Sequence, residues 1–258
     1  MSLSGQTALV TGASRGLGRA IARRLAREGA AVWVNYVARS GDAEQVVEEI
    51  RSAGGRANAI RADIGDPAQV QDMLNRVTSE LGPLSILVNN AGVAVRGTLE
   101  TFNPADLERM RRTNVDGLIH MTRAAIPGMQ ERRYGRIVNI TSIASHGTTL
   151  PGSTFYAATK AAVSVLTRRF AMELSPQGIT VNAVAPGFIL TDMVKDGRTE
   201  EEYERLLKSI SDLSMVGRVG DPEDIAHAVA FLVAPESGFI TAQVITVDGG
   251  RMDYIGHP

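Results

Sequence analysis

Residues T7-A-L-V-T-G-A-S-R-G-L-G18 decide the reading of this chain. An apolar run, Thr7 to Val10, enters a turn with glycines at Gly12, Gly16 and Gly18. A segment of helical periodicity follows at once, G16-L-G-R-A-I-A-R-R-L-A-R-E-G-A30. The spacing is Gly-x3-Gly-x-Gly, not the Gly-x-Gly-x-x-Gly fingerprint of many dinucleotide sites. Glycines in a strand-to-helix turn let backbone N–H groups approach a phosphate, and the helix start adds roughly half a positive charge. The same glycines could serve only positive φ in a tight connection. Position favours the phosphate reading. In a doubly wound sheet, ligands bind beyond the carboxyl ends of the strands, and this is the first strand.

Outward from the turn, six more short runs follow: A31-V-W-V34, A57-N-A-I60, S85-I-L-V88, R136-I-V-N-I140, I179-T-V-N-A-V184 and Q243-V-I-T-V247. Several are apolar throughout, as strands covered on both faces are. The segments between them, such as Pro67 to Gly82, have helical spacing and end at or beside glycine. Strand–helix alternation with right-handed crossovers predicts an α/β fold. The expected form is a single-domain Rossmann-type doubly wound sheet of seven mainly parallel strands, with helices on both faces. No linker or composition shift interrupts it, so residues 1–258 are expected to form one domain.

With 258 residues, 44% of them hydrophobic, the chain can bury a large core. A net charge of −1 gives no electrostatic reason to expect nucleic acid or a membrane surface as partner. The absence of cysteine excludes disulfides and thiolate metal sites. His120, His146, His227 and His257 are scattered, so no metal is expected. The start, M-S-L-S-G-Q, has no signal pattern, and no apolar run approaches the ~18 residues of a spanning helix. These features predict a soluble, cytoplasmic protein.

The chemistry concentrates in Y156-A-A-T-K160. Residues four apart on a helix are neighbours. A free phenol titrates near ~10, too high for efficient proton exchange at neutral pH. A shift of about three units requires about 4 kcal/mol, which a close, partly desolvated ammonium can supply and an exposed one cannot. Taken alone, the pair could be an ordinary surface pair. Ser142, just past the run ending at Ile140, could cap local backbone, and Asn114 could satisfy buried backbone groups.

T11-G-A-S-R-G-L-G18, D63-I64, N89-N-A-G92, Asn114, Ser142, Y156-A-A-T-K160 and the pair Pro186 and Gly187 occur in that order over nearly the whole chain. On these motifs the chain resembles the short-chain dehydrogenase/reductase family, and within it the 3-oxoacyl-carrier-protein reductases. The resemblance implies hydride transfer between a nicotinamide cofactor and a carbonyl. Tyr156 would be the proton donor, and Lys160 would lower its pKa and hold the nicotinamide ribose. Ser142 would hydrogen-bond the substrate oxygen. Asn114 would sit in a helix and hold a water linking Lys160 to solvent. The implied cofactor cradle begins with Gly12, Ser14, Arg15, Gly16, Leu17 and Gly18. Asp63 and Ile64 would lie at the adenine, and Asn90, Ala91 and Gly92 along the adenosine ribose. Pro186, Gly187, Ile189 and Thr191 would aim the nicotinamide.

Enzymes selecting NAD place a carboxylate at the end of the second strand. Here Asn35, Tyr36 and Val37 occupy that region, and Arg15 and Arg39 offer cations, which predicts NADP (NADPH). A lid over about 191–220 is expected, with a helix capped by Thr199 and Glu202. In similar proteins this segment folds over the active site and chooses the substrate; here it could also merely dock on the core. The branch resemblance implies a 3-oxoacyl thioester, presented by an acyl carrier protein to Arg132, Arg133, Arg168 or Arg169. Gln177 departs from that pattern, since the branch has a basic residue there. Another alcohol, sugar or small ketone remains an alternative substrate, and a non-catalytic dinucleotide-sensing regulator an alternative role. Family habit implies a homotetramer, pairing long helices at Pro104–Arg133 and Gly152–Leu174 and the last strand, with the tail from Met252 at a subunit contact or frayed.

Overall fold

The seven runs become β1 (Thr7–Val10), β2 (Ala31–Tyr36), β3 (Arg56–Arg61), β4 (Leu84–Asn89), β5 (Gly135–Ile140), β6 (Ile179–Pro186) and β7 (Val244–Val247) in a computed structural model that describes residues 3–191 and 199–251. They form one sheet in the order β3-β2-β1-β4-β5-β6-β7, and every pairing is parallel. The mainly parallel sheet expected from sequence is thus wholly parallel. The order reverses between β1 and β4, which opens a crevice there at the carboxyl ends.

Parallel strands need covered crossovers, and the intervening segments supply them. On one face lie α1 (Gly16–Arg27), α2 (Ser40–Ser52) and α8 (Pro222–Val233), with Ile21, Leu25, Val46, Ile225 and Val229 buried against Ala8, Val10, Val32 and Val138. On the other lie α3 (Pro67–Leu81), α5 (Gly117–Glu131) and α6 (Thr154–Leu174), with Val70, Leu74, Met121 and Ala171 against Leu9, Trp33, Leu87 and Ile137. Successive residues of β1 serve opposite layers, as strand alternation requires. Each fully buried Leu, Ile or Val contributes about 1.5–3 kcal/mol before entropic costs.

The segment 104–133 is not one helix. α4 (Pro104–Arg111) gives way to a π-helical turn at Arg112–Asp116 before α5 begins. Such widened turns recur at functional sites, and this one contains Asn114. α7 (Glu200–Asp212) starts at the expected capping box, with Glu202 N donating to Thr199 Oγ1 and Thr199 N to Glu202 Oε2. Residues 192–198 of the expected lid and the tail 252–258 lie outside the described residues. Among the described residues, no helix is long and apolar enough to cross a membrane.

Asn35, expected at the cofactor, lies inside the protein. It is 1% exposed; its Oδ1 accepts from Gly12 N at 3.2 Å, and its Nδ2 donates to the carbonyls of Ala62 at 3.0 Å and Ile60 at 3.4 Å. It therefore supports the glycine turn from beneath and joins β2 to β3. Asn35→Leu, similar in size but without these bonds, leaves buried polar groups unpaired. The expected loss of unfolding free energy is about 2–3 kcal/mol, read from urea denaturation.

Candidate active site

The crevice at the switch point is a cleft of about 500 Å³. One wall is the first glycine turn: Gly12, Ser14, Arg15, Gly16, Leu17 and Gly18 all line it. Gly12 has φ +61°, and a Cβ there would stand 2.9 Å from Ala91 Cα. At Gly18 a Cβ would stand 2.4 Å from the Gly12 carbonyl oxygen. Glycine is thus required for the turn to close against β4. α1 has neither a side-chain cap nor an acid in its first turn, so its leading N–H groups are without side-chain partners. A glycine cradle at an uncapped helix start fits a pyrophosphate.

The opposite wall follows β4. Thr11 Oγ1 accepts from the backbone N–H groups of Asn90 and Ala91, both at 3.0 Å, and Asn90 Nδ2 donates to the carbonyls of Thr11 and Gly12. Asn90, Ala91 and Gly92 line the cleft, as do Pro186, Gly187, Ile189 and Thr191 beyond β6. Leu190 N donates to the Gly220 carbonyl, which ties this segment to the turn before α8.

Ser142, Tyr156 and Lys160 meet at the far end of the same cleft. Ser142 leaves β5 with extended backbone, and its Oγ accepts from Ala144 N at 3.1 Å, which fixes the hydroxyl. That hydroxyl also stands near enough to the Tyr156 phenol to favour its ionised form. Lys160 Nζ donates to the Ile140 carbonyl at 2.8 Å and lies 5.8 Å from the centre of the Tyr156 ring. Asn114 does not line the cleft. Its Nδ2 donates to the Val93 carbonyl and to Thr159 Oγ1, and its Oδ1 accepts from Val93 N at 2.8 Å. A Cβ on Gly92 would sit 3.3 Å from Asn114 Oδ1 and 3.4 Å from Lys160 Nζ, so both groups border this glycine.

Burial dominates the electrostatics. It raises the Tyr156 phenol above its ordinary value, while the Ser142 hydroxyl acts the other way. It pushes the Lys160 ammonium down to about 8. In each case desolvation penalises the charged form. A phenol of ordinary pKa is already protonated at neutral pH, and burial reinforces that state.

Four other expected cofactor residues lie off the cleft. Tyr36 packs on the core beside α1 and α2, and Ile64 is buried. Arg39 is exposed and pairs with Asp42 at 3.2 Å. Asp63 accepts from Gly65 N and from Arg112 Nη2 at 2.6 Å. Val37, named only for the absence of an acid at the exit of β2, lines the cleft, and so do Val93, Ala94, Thr113, Thr141 and Phe188, which the sequence did not single out. All but Ala94 directly adjoin predicted residues. Among the described residues, no cluster of three His, Asp or Glu could hold a metal.

The fold and this cleft define a dinucleotide-linked oxidoreductase, and the chain belongs to the short-chain dehydrogenase/reductase family of NAD(P)-dependent enzymes. A family model described as enoyl-(acyl carrier protein) reductase matches residues 12–251. The 3-oxoacyl-[acyl-carrier-protein] reductase FabG of Staphylococcus aureus is 43% identical, over 95% of this chain and 97% of that protein. A short-chain dehydrogenase/reductase of Serratia marcescens superposes with a TM-score of 0.89 at 39% identity, covering 97% of this chain and 99% of that one. A gluconate 5-dehydrogenase of Burkholderia cenocepacia, solved with NADP and tartrate, gives 0.88 at 32% identity, covering 96% and 95%.

The Lys160 shift carries a stability consequence. Below pH 8 the folded protein must hold a buried ammonium, at a cost of about 3 kcal/mol for a fall from 10.5 to about 8. The bond to Ile140 offsets about 1 kcal/mol of this. Lys160→Met should therefore raise unfolding free energy at pH 7 by about 1–2 kcal/mol. The gain should shrink as pH rises from about 8 towards 10.5, where the unfolded lysine loses its proton too. Denaturant melts of both proteins at pH 7 and pH 9.5 measure it.

Proposed function

We propose that the protein is an NADPH-dependent carbonyl reductase acting on 3-oxoacyl thioesters. The observation that carries this reading is the meeting of two hydroxyl groups, Ser142 and Tyr156, in the cleft that the glycine turn begins. The bound cofactor supplies the hydride. Tyr156, protonated at neutral pH, donates its proton to the substrate oxygen, and Ser142 hydrogen-bonds the same oxygen. Lys160 has one N–H on Ile140, and its others would hold the ribose hydroxyls of the bound cofactor. Asn114 spends both Nδ2 hydrogens on Val93 and Thr159 and keeps an Oδ1 lone pair for a water on the Lys160 side.

NADPH is favoured over NADH by Arg15 in the cleft and by the absence of an acid at the exit of β2. The NADP bound in the Burkholderia relative supports this. The thioester reading rests on the Staphylococcus relative. Within one subunit, carrier docking cannot use Arg132 and Arg133. They precede β5, at the end of the sheet away from the cleft, and donate to the carbonyls of Leu84 and Pro176. Arg168 and Arg169, exposed on α6, remain available.

A polyol or sugar-acid substrate is the second reading, supported by the gluconate 5-dehydrogenase relative. A sensor role is disfavoured, since a sensor has no need of a buried proton donor. We take the chain to be one catalytic domain with a substrate lid over about 191–220. α7 supports the lid, with Leu206 and Leu207 half-buried and Ile210 buried, and Met215 is exposed just beyond it. A cytoplasmic homotetramer completes the proposal.

Loss of absorbance at the nicotinamide band, with acetoacetyl thioesters set against gluconate-type ketones, selects the substrate class. Faster turnover of the sugar-acid ketones would replace the thioester reading. Tyr156→Phe should lower kcat at least about a hundredfold with little change in NADPH affinity. Turnover close to wild type in that variant would remove Tyr156 from the reaction.

A further inference from the structure

Arg61 is the last residue of β3 and pairs in register with Tyr36 at the end of β2. Its Nε donates to the Val37 carbonyl at 3.0 Å. Val37 in turn lines the cleft together with Arg15. The guanidinium is therefore anchored through one nitrogen at the exit of β2, and its two Nη groups have no protein partner among the described residues. The neighbouring charges are already matched. Arg39 is paired with Asp42, and Asp63, two residues beyond Arg61, is held by Arg112 at 2.6 Å. Arg61 thus presents an uncompensated donor fork where the adenosine ribose of a dinucleotide meets the end of the second strand.

We propose that Arg61 and Arg15 together receive the 2′-phosphate of NADPH, with Arg39 outside the site. This rests on the NADPH reading above. Arg15 lines the cleft from the glycine turn, and Arg61, just outside the lining, is tied to it through Val37; a phosphate dianion between them can accept charge-assisted hydrogen bonds from both. The Nε–Val37 bond does not itself need a charge, so a neutral donor at that place would hold the β2 exit equally well.

That difference supplies the test. Glutamine carries its Nε2 as many bonds from Cα as arginine carries its Nε, so Arg61→Gln can keep the bond to Val37 while removing the charge and the fork. Dissociation constants for NADPH and NADH are measured by cofactor fluorescence, without substrate. The charge role predicts that Arg61→Gln raises Kd for NADPH about five- to tenfold, discounted for solvent exposure, and leaves Kd for NADH unchanged. Arg39→Gln should change neither. An equal rise for both cofactors in Arg61→Gln, or no rise for NADPH, overturns the assignment of Arg61. If the wild-type protein binds NADH as tightly as NADPH, the NADPH reading itself fails, and the proposal with it.

Discussion

The site depends on one contact, between the turn after β1 and the exit of β4. These strands are neighbours in the sheet but distant in sequence, and the strand order reverses between them. Gly12 must lie where a Cβ would strike Ala91, and Thr11 and Asn90 exchange hydrogen bonds across the seam. Were the two segments to separate, α1 would lose the alignment that directs its start into the cleft. Asn35 holds the same turn from below through Gly12 N. Three polar side chains and one glycine thus fix the geometry that the phosphate groups of a dinucleotide require.

At the other end of the cleft, burial is the controlling term. Tyr156 and Lys160 are both withdrawn from water, and each resists its charged form. Desolvation opposes a buried pair of phenolate and ammonium. The result is a neutral phenol held against Ser142 and an ammonium held on a backbone carbonyl. A site that keeps a buried ammonium does so at the expense of stability, as functional sites commonly do.

Much of this was legible in the sequence, for identifiable reasons. All seven strands were legible as short runs; several, buried on both faces, are apolar along their length, whereas the edge strands β3 and β7 are only partly buried. The glycine turn, Ser142, Tyr156 and Lys160 follow strand ends or helix spacing, which are local signals. What was hidden depended on neighbours distant in sequence. Asn35 looked like a cofactor ligand, because nothing local shows that it points down to Gly12 and across to β3. Arg39 looked like a free cation, although Asp42 stands one helical turn away. Asn114 does sit in a helix, as the resemblance implies, but nothing local shows that the helix widens to a π turn there, with bonds to Val93 and Thr159. Arg61 went unremarked, because only the β2–β3 register brings it to Val37.

The division between the two ends of the sheet bears on substrate choice. Everything that places Ser142, Tyr156, Lys160 and the glycine turn belongs to the core: strand ends, helix starts and the bonds between them. The residues left to vary are those bordering the cleft without chemistry of their own, such as Ala94 and Phe188, and the segment leading through α7. Arg132 and Arg133 stand at the amino end of β5 and hold backbone carbonyls, so they contribute structure at the far side. A relative reducing a thioester and a relative handling a sugar acid can therefore share this core. Residues after β4, β5 and β6 that line the cleft, such as Ala94 and Phe188, make no part of the seam between Gly12 and Ala91, so a side chain there can change without loosening it.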